Sequence, residues 1–409
     1  MPWKQADVMS ERARFVLEWE RRWKEGHGRI DVAELCRRFG ISRQTGYVWI
    51  RRYRDAGHDV RALEDRSSRP LSSPTTTSAA MVEIILAARR DRPRWGPRTL
   101  LAWLRDRHPS REFPSASTVR RILERHGLVS HRRRRRRRAP IAAAPFSEAK
   151  GPNSVWCIDF KGAITTGDGV RCGPLTVLDA FSRYCIRCEL LGQPTSEAVM
   201  HVLDGAFRQY GLPATIRSDN GPPFASTGAG GLTRLSAWFL RLGIRLERIR
   251  PGRPYENGRQ ERFHRTLEAE AASPPCATWQ AQRRAFYLFR VAYNEERPHQ
   301  ALGMKVPASV YVPSTRRYPR PLLTFAPAWF GRECRVDAQG CIKLDGNRIL
   351  ISHALVGEYV QLEPDDGQWV VQFGPVLLGT VDARAPTQLK LRSKPRGDNF
   401  SEASGTSWT

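Results

Sequence analysis

Three acidic residues stand in contexts that suit metal-dependent chemistry on a phosphate. Asp159 lies in the apolar stretch VWCIDFKG, Asp219 follows the stretch ATIRS, and Glu261 lies in NGRQERFHRTL. Hard divalent cations prefer oxygen ligands, and two of them about 3.5–4 Å apart can activate an attacking oxygen and stabilise a leaving one. A buried carboxylate is costly unless it binds a cation or another partner. The three acids together therefore predict a metal site that acts on a phosphodiester.

Each acid also has a simpler explanation when it is taken alone. Asp159 could pair with Lys161 or with an arginine, Asp219 could only shape a turn, and Glu261 could only complement a helix dipole. All three explanations would have to coincide to remove the metal site, so the joint pattern favours it.

The charge of the chain points to a polyanionic partner. Its 409 residues contain 67 Lys and Arg against 41 Asp and Glu, a net charge of +26, which favours binding to nucleic acid. No run of 18 apolar residues and no apolar signal core are present, so we expect a cytoplasmic protein without membrane contact. The eight cysteines are scattered, and the only close pair, Cys185 and Cys188, has no partner pair, so we expect reduced thiols rather than a zinc site.

The elements that must position the acids follow two helical segments. In the first segment a short helix, a turn at Gly40 and a second helix capped by Ser42 predict a helix-turn-helix unit. A plain helical hairpin would explain the same pattern, but the polar start of the second helix favours DNA reading. The predicted DNA contacts of this unit are Ser42, Arg43, Gln44, Thr45 and Arg51. A second helix-turn-helix unit is predicted from the basic helix near Ser117 and Thr118.

The full chain is expected to be multidomain. Seven consecutive arginines cannot pack together, so their segment is predicted to be a linker that binds phosphates; they are Arg132, Arg133, Arg134, Arg135, Arg136, Arg137 and Arg138. Strands then alternate with helices, which predicts an α/β domain with a mixed sheet, and short β runs predict a small β-barrel after it. The expected boundaries are 1–65 and 79–130 for the helix-turn-helix units, 66–78 and 131–152 for linkers, 153–315 for the catalytic core, 322–386 for the barrel and 387–409 for a flexible tail.

The sequence motifs around the acids resemble those of a known family. WCIDFKG, LDAFSRY, RSDNGPPF, PGRPYENGRQERFHRTL and YNEERPHQALGMKVPASVY together resemble the DDE-class bacterial insertion-sequence transposases, whose catalytic core is similar to that of retroviral integrases. The resemblance covers about 153–312 and implies a ribonuclease-H-like fold. It also implies that Asp159, Asp219 and Glu261 are the catalytic residues and the metal ligands, for two Mg²⁺ ions with Mn²⁺ as a substitute.

The resemblance leaves one assignment open at the third acid. Forty-one residues separate Asp219 from Glu261, more than the family usually has, and the extra length falls in the Gly-rich segment ASTGAGGLTR. Glu256, in the preceding loop, is the alternative third ligand, whereas Glu261 belongs to the motif that matches the family. Neighbouring residues are predicted to contact DNA phosphates, and they are Asn257, Arg259, His264 and Arg265. A packed His264 is the alternative, and Asp179 and Arg183 are expected to form a structural ion pair.

The resemblance implies a function and leaves two rivals. We expect a bacterial, nucleoid-associated transposase that binds the terminal inverted repeats of its element, cleaves them by metal-dependent hydrolysis and joins the 3′-OH ends to target DNA. Synapsis of two ends implies a homo-oligomer on double-stranded DNA. One rival is a non-catalytic, sequence-specific DNA-binding regulator derived from a transposase. The other is a nuclease of the same fold that cuts DNA without joining it.

Overall fold

The computed structural model describes residues 8–26, 30–66, 76–129, 147–249, 258–319, 322, 325 and 331–391. The chain forms two compact units, Met1–Thr76 and Thr77–Thr409. Over these described ranges, no helix is long and apolar enough to cross a membrane.

The first unit is a small helical domain. It contains α1 (Val8–Glu25), α2 (Val32–Arg38), α3 (Arg43–Asp55) and a 3₁₀ turn, Val60–Leu63. The Ser42 side chain accepts a hydrogen bond of 3.1 Å from the Thr45 N–H, so it caps α3 as the sequence predicts. Phe15, Leu35 and Leu63 are fully buried between the helices. The helix–turn–helix arrangement expected before residue 65 is present.

A second helical domain opens the larger unit. It consists of α4 (Ala79–Asp91), α5 (Pro97–Arg107) and α6 (Ala116–Arg125) around a core that includes Leu100 and Val119. The Ser115 hydroxyl accepts from the Thr118 N–H at 3.3 Å, so Ser115 is the cap of α6. Ser117 and Thr118, which the sequence suggested would precede this helix, therefore lie within its first turn.

The central domain is built on a mixed sheet. Its strands are β1 (Val155–Phe160), β2 (Ile164–Thr165), β3 (Arg171–Asp179), β4 (Cys185–Leu191), β5 (Thr215–Ser218) and β6 (Arg245–Arg248). β3 lies antiparallel to β1 and β4, whereas β5 is parallel to both β1 and β6. The predicted mixed sheet is confirmed, and it is consistent with a ribonuclease-H-like core.

Helices cover both faces of this sheet. They are α7 (Ser196–Tyr210), α8 (Arg234–Arg241), α9 (Gly258–Leu267) and α10 (Trp279–Val291). On one face, Trp156 and Ile158 belong to the same buried cluster as Phe207 of α7. On the other face, Leu178 packs in a cluster with Phe263 of α9. Both α9 and α10 continue as π-helical turns, Glu268–Ala272 and Ala292–Glu296.

The C-terminal region forms a β domain that packs on the core. Its strands are β7 (Arg332–Arg335), β8 (Cys341–Leu344), β9 (Asn347–Leu350), β10 (Tyr359–Asp365), β11 (Gln368–Phe373), β12 (Val376–Asp382) and β13 (Lys390–Leu391). Five strands form a sheet in the order β13-β12-β11-β10-β7, and β8 pairs with β9.

No closed barrel is found within residues 331–391, so the predicted small barrel is not confirmed. Apolar side chains of β10 and β11, such as Val360 and Val371, share one cluster with the central domain. Arg241 of α8 also forms an ion pair of 3.2 Å with Glu358. The core thus covers an apolar surface that closure would otherwise bury. β13 lies inside the segment expected to be a flexible tail. It pairs with Gly379 and Thr380 of β12, so its two residues belong to the sheet.

Candidate active site

Two of the predicted acids follow the paired residues of neighbouring parallel strands. β1 pairs with β5 at Val155↔Thr215, Trp156↔Ile216 and Cys157↔Arg217. If this register continues for two residues, Asp159 stands beside Asp219, and adjacent strands lie about 4.8 Å apart. Side chains in register on parallel strands point to the same face, so both carboxylates belong to the face that Cys157 and Arg217 share.

The surroundings of Asp219 disfavour its charge in the metal-free protein. Asp219 is half-buried directly after the end of β5. Burial raises the pKa of its carboxyl, and a hydrogen bond of 3.2 Å from the Gly221 N–H to Oδ1 partly offsets this rise. The next side chain, Asn220, donates to the Ile249 carbonyl and ties the loop to the end of β6. A cation at this carboxylate would favour the charged form, so the Asp219 carboxylate is suited to be a metal ligand.

The third acid lies on a helix that crosses the same face. Gln260 of α9 is fully buried and donates a 3.2 Å hydrogen bond to the Cys157 carbonyl of β1. One turn later, His264 lies 2.8 Å from the Thr176 hydroxyl of β3, through its Nε2 atom. Glu261 stands between these two anchoring residues and is half-buried. The structure therefore places α9, and Glu261 with it, across the pair of strands that includes Asp159.

The three acids do not form a closed ligand cluster in the part of the chain that the structure describes. No group of three or more His, Cys, Asp or Glu side chains there is arranged to hold a metal ion. The register of β1 and β5 ends two residues before Asp159 and Asp219, and α9, which carries Glu261, lies across β1 and β3. The donor types fit a hard divalent cation, because all three are carboxylates. Glu256, the rival third acid, lies outside the described residues.

His264 is packed against β3 rather than exposed to solvent. It was predicted as a DNA contact, with packing as the alternative, and the structure places its imidazole against Thr176. Burial, and then the charge of Lys161, lower the pKa of His264 to about 4. The ring is therefore neutral at pH 7, which removes its charge-based attraction to phosphate.

The other predicted DNA contacts near Glu261 remain accessible where they are described. Arg259 and Arg265 are exposed on α9, and Arg259 donates to the Ala180 carbonyl at 3.1 Å. Asn257 and the run Arg132–Arg138 lie outside the described residues. In the first unit, Ser42, Arg43, Gln44 and Arg51 are exposed and Thr45 is half-buried, so the start of α3 presents polar groups to solvent.

The expected ion pair between Asp179 and Arg183 is wrong. The Asp179 carboxylate accepts three hydrogen bonds of 2.7 Å, from the Asn153 N–H, the Ser182 N–H and the Ser182 hydroxyl. The Arg183 guanidinium instead donates to the Ala180 carbonyl at 3.0 Å. Arg183 has a φ of +65°. Asp179 thus braces the turn between β3 and β4 through backbone groups, which a charge pattern alone does not reveal.

Sequence reasoning missed a buried ion pair between the strands beside Asp219. Arg217 of β5 and Glu247 of β6 form a buried ion pair at 2.8 Å. Glu247 also accepts from the Ser147 N–H at 3.0 Å, and Arg217 donates to the Ser147 carbonyl at the same distance. This pair fastens the segment that begins at Ser147 to the strands beside Asp219. The alternation of charged residues at strand ends was the available signal, but it did not specify the partner.

Comparison with known protein families agrees with this architecture. Two models described as "Integrase core domain" match residues 149–254 and 242–307. A "Helix-turn-helix domain" model matches residues 11–70, and a "Homeodomain-like domain" model matches residues 45–123.

Three curated relatives come from mobile elements. A 31.7 kDa protein of insertion element IS407 from Burkholderia multivorans is 33% identical over 61% of this chain and 85% of that protein. A 39.2 kDa protein of insertion element IS476 from Xanthomonas euvesicatoria is 31% identical over 58% of this chain and 66% of that protein. The transposase of insertion sequence element IS904 from Lactococcus lactis is 25% identical over 39% of this chain and 62% of that protein.

Proposed function

The chain belongs to the insertion-sequence transposases with a retroviral-integrase-like core, and we propose that it cuts the ends of its own element and joins them to target DNA. The parallel pairing of β1 with β5, which ends two residues before Asp159 and Asp219, carries this proposal, because its continuation would set two oxygen ligands side by side on the face that α9 crosses. Glu261 on α9 would be the third ligand.

The residues divide the chemistry among them. Two Mg²⁺ ions, or Mn²⁺ in their place, would activate the attacking oxygen and stabilise the leaving oxygen. The three carboxylates would hold the cations and so fix where the scissile phosphate lies. In the first reaction a water oxygen bonds to phosphorus, the bond to the 3′ oxygen breaks, and the element end keeps a free 3′-OH. In the second, that 3′ oxygen bonds to a target phosphorus and a target 3′-OH leaves.

The helical domains supply the DNA specificity in this proposal. The exposed polar start of α3 and the capped basic helix α6 are suited to the terminal repeats of the element. The net charge of +26 adds affinity that does not depend on sequence. Because two ends must be held together before joining, we propose that the active species is a homo-oligomer assembled on DNA.

Asp219→Asn tests the metal-ligand assignment. The substrate is a duplex that carries the inverted repeats flanking the reading frame. We expect end binding to remain at the wild-type level while Mg²⁺-dependent cleavage and strand joining fall by at least 10³-fold, a loss of about 4 kcal/mol in transition-state stabilisation. Glu261→Gln should behave in the same way, whereas Glu256→Gln should retain activity. The matched control is Asp204→Asn, which alters an exposed ion pair on α7.

The same assay separates the rivals. Strand joining by Asp219→Asn would contradict the metal-site assignment. Wild-type protein that binds ends but neither cuts nor joins them would favour the non-catalytic regulator, and cutting without joining would favour the nuclease.

A further inference from the structure

We propose that Thr176, His264 and Gln260 form a positioning cluster that sets the spacing between the strand carrying Asp159 and the helix carrying Glu261. This inference rests on the proposed metal role of those two acids. None of the three residues needs to touch metal or DNA in this role, since they act by holding the elements that present the ligands.

One hydroxyl joins the two elements. Thr176 is fully buried on β3, directly opposite Asp159 in the β1–β3 register. Its Oγ1 donates to the Asp159 carbonyl at 3.1 Å and lies 2.8 Å from His264 Nε2. The Gln260 amide nitrogen reaches the same Oγ1 at 3.4 Å and the Cys157 carbonyl at 3.2 Å. The backbone of β1 is therefore connected to α9 through the Thr176 hydroxyl and, directly, through the Gln260 amide.

The protons available in the cluster determine which group donates in each hydrogen bond. A hydroxyl has one proton to donate and two lone pairs to accept with. The Thr176 proton goes to the Asp159 carbonyl, so His264 must donate its Nε2–H to Thr176, and the Gln260 amide must donate as well. His264 therefore serves as a donor from its Nε2 atom. A side chain that fills the same space without a donor would leave the hydroxyl with one partner fewer.

The placement of these bonds makes them suited to positioning. Gln260 and His264 are four residues apart on one face of α9, and Glu261 stands between them. Thr176 contacts the carbonyl of Asp159 itself. Both ends of the cluster thus lie at the metal ligands, where ligand sites need a tolerance of about 0.5 Å. Loss of such outer hydrogen bonds typically costs about 10–100-fold in metal affinity.

Thr176→Val is the main test, because valine keeps the shape and removes the hydroxyl. Full-length protein without DNA is titrated with Mn²⁺ alone, and free Mn²⁺ is followed by electron paramagnetic resonance. The binding that Asp219→Asn abolishes defines the site. We expect Thr176→Val to weaken this binding about 10-fold, and Thr176→Ser, which keeps the hydroxyl, to stay within about threefold of wild type. Metal-free binding of a random-sequence duplex should be unchanged.

The chain offers a matched control for a buried threonine. Thr215 is fully buried on β5, and its hydroxyl has no hydrogen-bond partner among the described residues. Thr215→Val should therefore leave Mn²⁺ affinity at the wild-type value. If Thr176→Val does not fold, as judged by circular dichroism, His264→Leu and His264→Gln take its place. The glutamine variant keeps an N–H donor and should bind Mn²⁺ more tightly than the leucine variant.

The outcomes distinguish a positioning role of the cluster from a purely structural one. Weaker Mn²⁺ binding by Thr176→Val, with rescue by serine, supports the positioning role. Unchanged Mn²⁺ affinity in a folded Thr176→Val protein overturns it, even if the melting temperature falls, because the hydroxyl would then be only structural. Equal Mn²⁺ affinities for His264→Leu and His264→Gln overturn it as well. If the wild-type and Asp219→Asn proteins bind Mn²⁺ equally, the proposed metal site itself fails, and the inference falls with it.

Discussion

At the scale of single residues, Asp219, the proposed metal ligand, carries a cost to stability. Burial raises the pKa of its carboxyl above the ordinary value of 3.8, which means that the folded protein disfavours the charged form. Between pH 3.8 and the raised folded value, the folded state binds more protons than the unfolded state. The free energy of unfolding therefore falls as pH rises through that window, and it stays lowered at pH 7.

Asp219→Asn should consequently stabilise the metal-free protein. The neutral amide lacks the unfavourable charge, so we expect a higher melting temperature than wild type at pH 7. The difference should disappear below pH 3.8, where the wild-type carboxyl is neutral in both states. Added Mg²⁺ should raise the melting temperature of wild type and not that of the variant. Differential scanning fluorimetry from pH 3 to pH 8, with and without Mg²⁺, measures all three, and a less stable metal-free variant at pH 7 would contradict the prediction.

Residue patterns predicted the positions of the acids along the strands better than the contacts around them. Asp159 lies near the end of β1 and Asp219 directly follows β5, so both positions could be predicted from the local sequence. The partners of His264 and Asp179 were not recognisable in this way. Thr176 is 88 residues from His264, and Asn153 is 26 residues from Asp179, so these hydrogen bonds arise only when strands and helices pack. For His264 the sequence left a DNA contact and a packed side chain open, and for Asp179 it suggested an ion pair, whereas the fold provides a buried hydroxyl for the first and mainly backbone N–H groups for the second.

At the scale of elements, two helical glycines offer opposite predictions. A Cβ at Gly46 of α3 would overlap Cys36 Sγ and lie 3.1 Å from Phe15 Cζ, whereas one at Gly205 of α7 would meet only Arg187 Nη2 at 3.7 Å. Gly46→Ala should destabilise the first unit, because overpacking costs about 1–3 kcal/mol and exceeds the helix gain of about 1 kcal/mol. Gly205→Ala should stabilise its unit by about 0.5–1 kcal/mol.

Calorimetry of the full chain can compare the two variants, since each glycine belongs to a different compact unit. The matched pair separates packing from propensity. If Gly46→Ala were as stabilising as Gly205→Ala, the close approach of α3 to α2 would be wrong.

Elements were predictable where their signals are local. The cap at Ser42 and the alternation of strands with helices in the central domain both appear as expected. Whether the C-terminal strands close into a barrel could not be predicted from local sequence. Strand alternation shows that one face is apolar, but it does not show whether a barrel interior or a neighbouring domain covers that face. Here Gly230 lies close to Val376 and Leu378, so the catalytic core supplies part of the cover.

At the scale of the whole molecule, the second helical domain is fastened to the catalytic domain. Glu296, in the turn after α10, forms ion pairs with Arg92 and, at 3.7 Å, with Arg107. The Arg297 guanidinium also stands 5.8 Å from the centre of the Trp95 ring. The end of α10 thus meets the α4–α5 junction through charge and aromatic contacts. Such a junction fixes the direction of α6 relative to the catalytic face, which matters if α6 reads an element end.

Glu296→Arg should loosen this junction. The substitution opposes Arg92 and Arg107 with a like charge, so amide hydrogen exchange should accelerate at residues 92–95 and 292–296. Arg92→Glu in the same chain should restore part of the protection, with a coupling of about 0.2–1 kcal/mol because the pair is partly exposed. Glu83→Arg is the matched control, since Glu83 forms only a long, exposed pair with Arg90 on α4. Unchanged exchange in Glu296→Arg would mean that apolar packing, rather than charge, holds the second helical domain against the core.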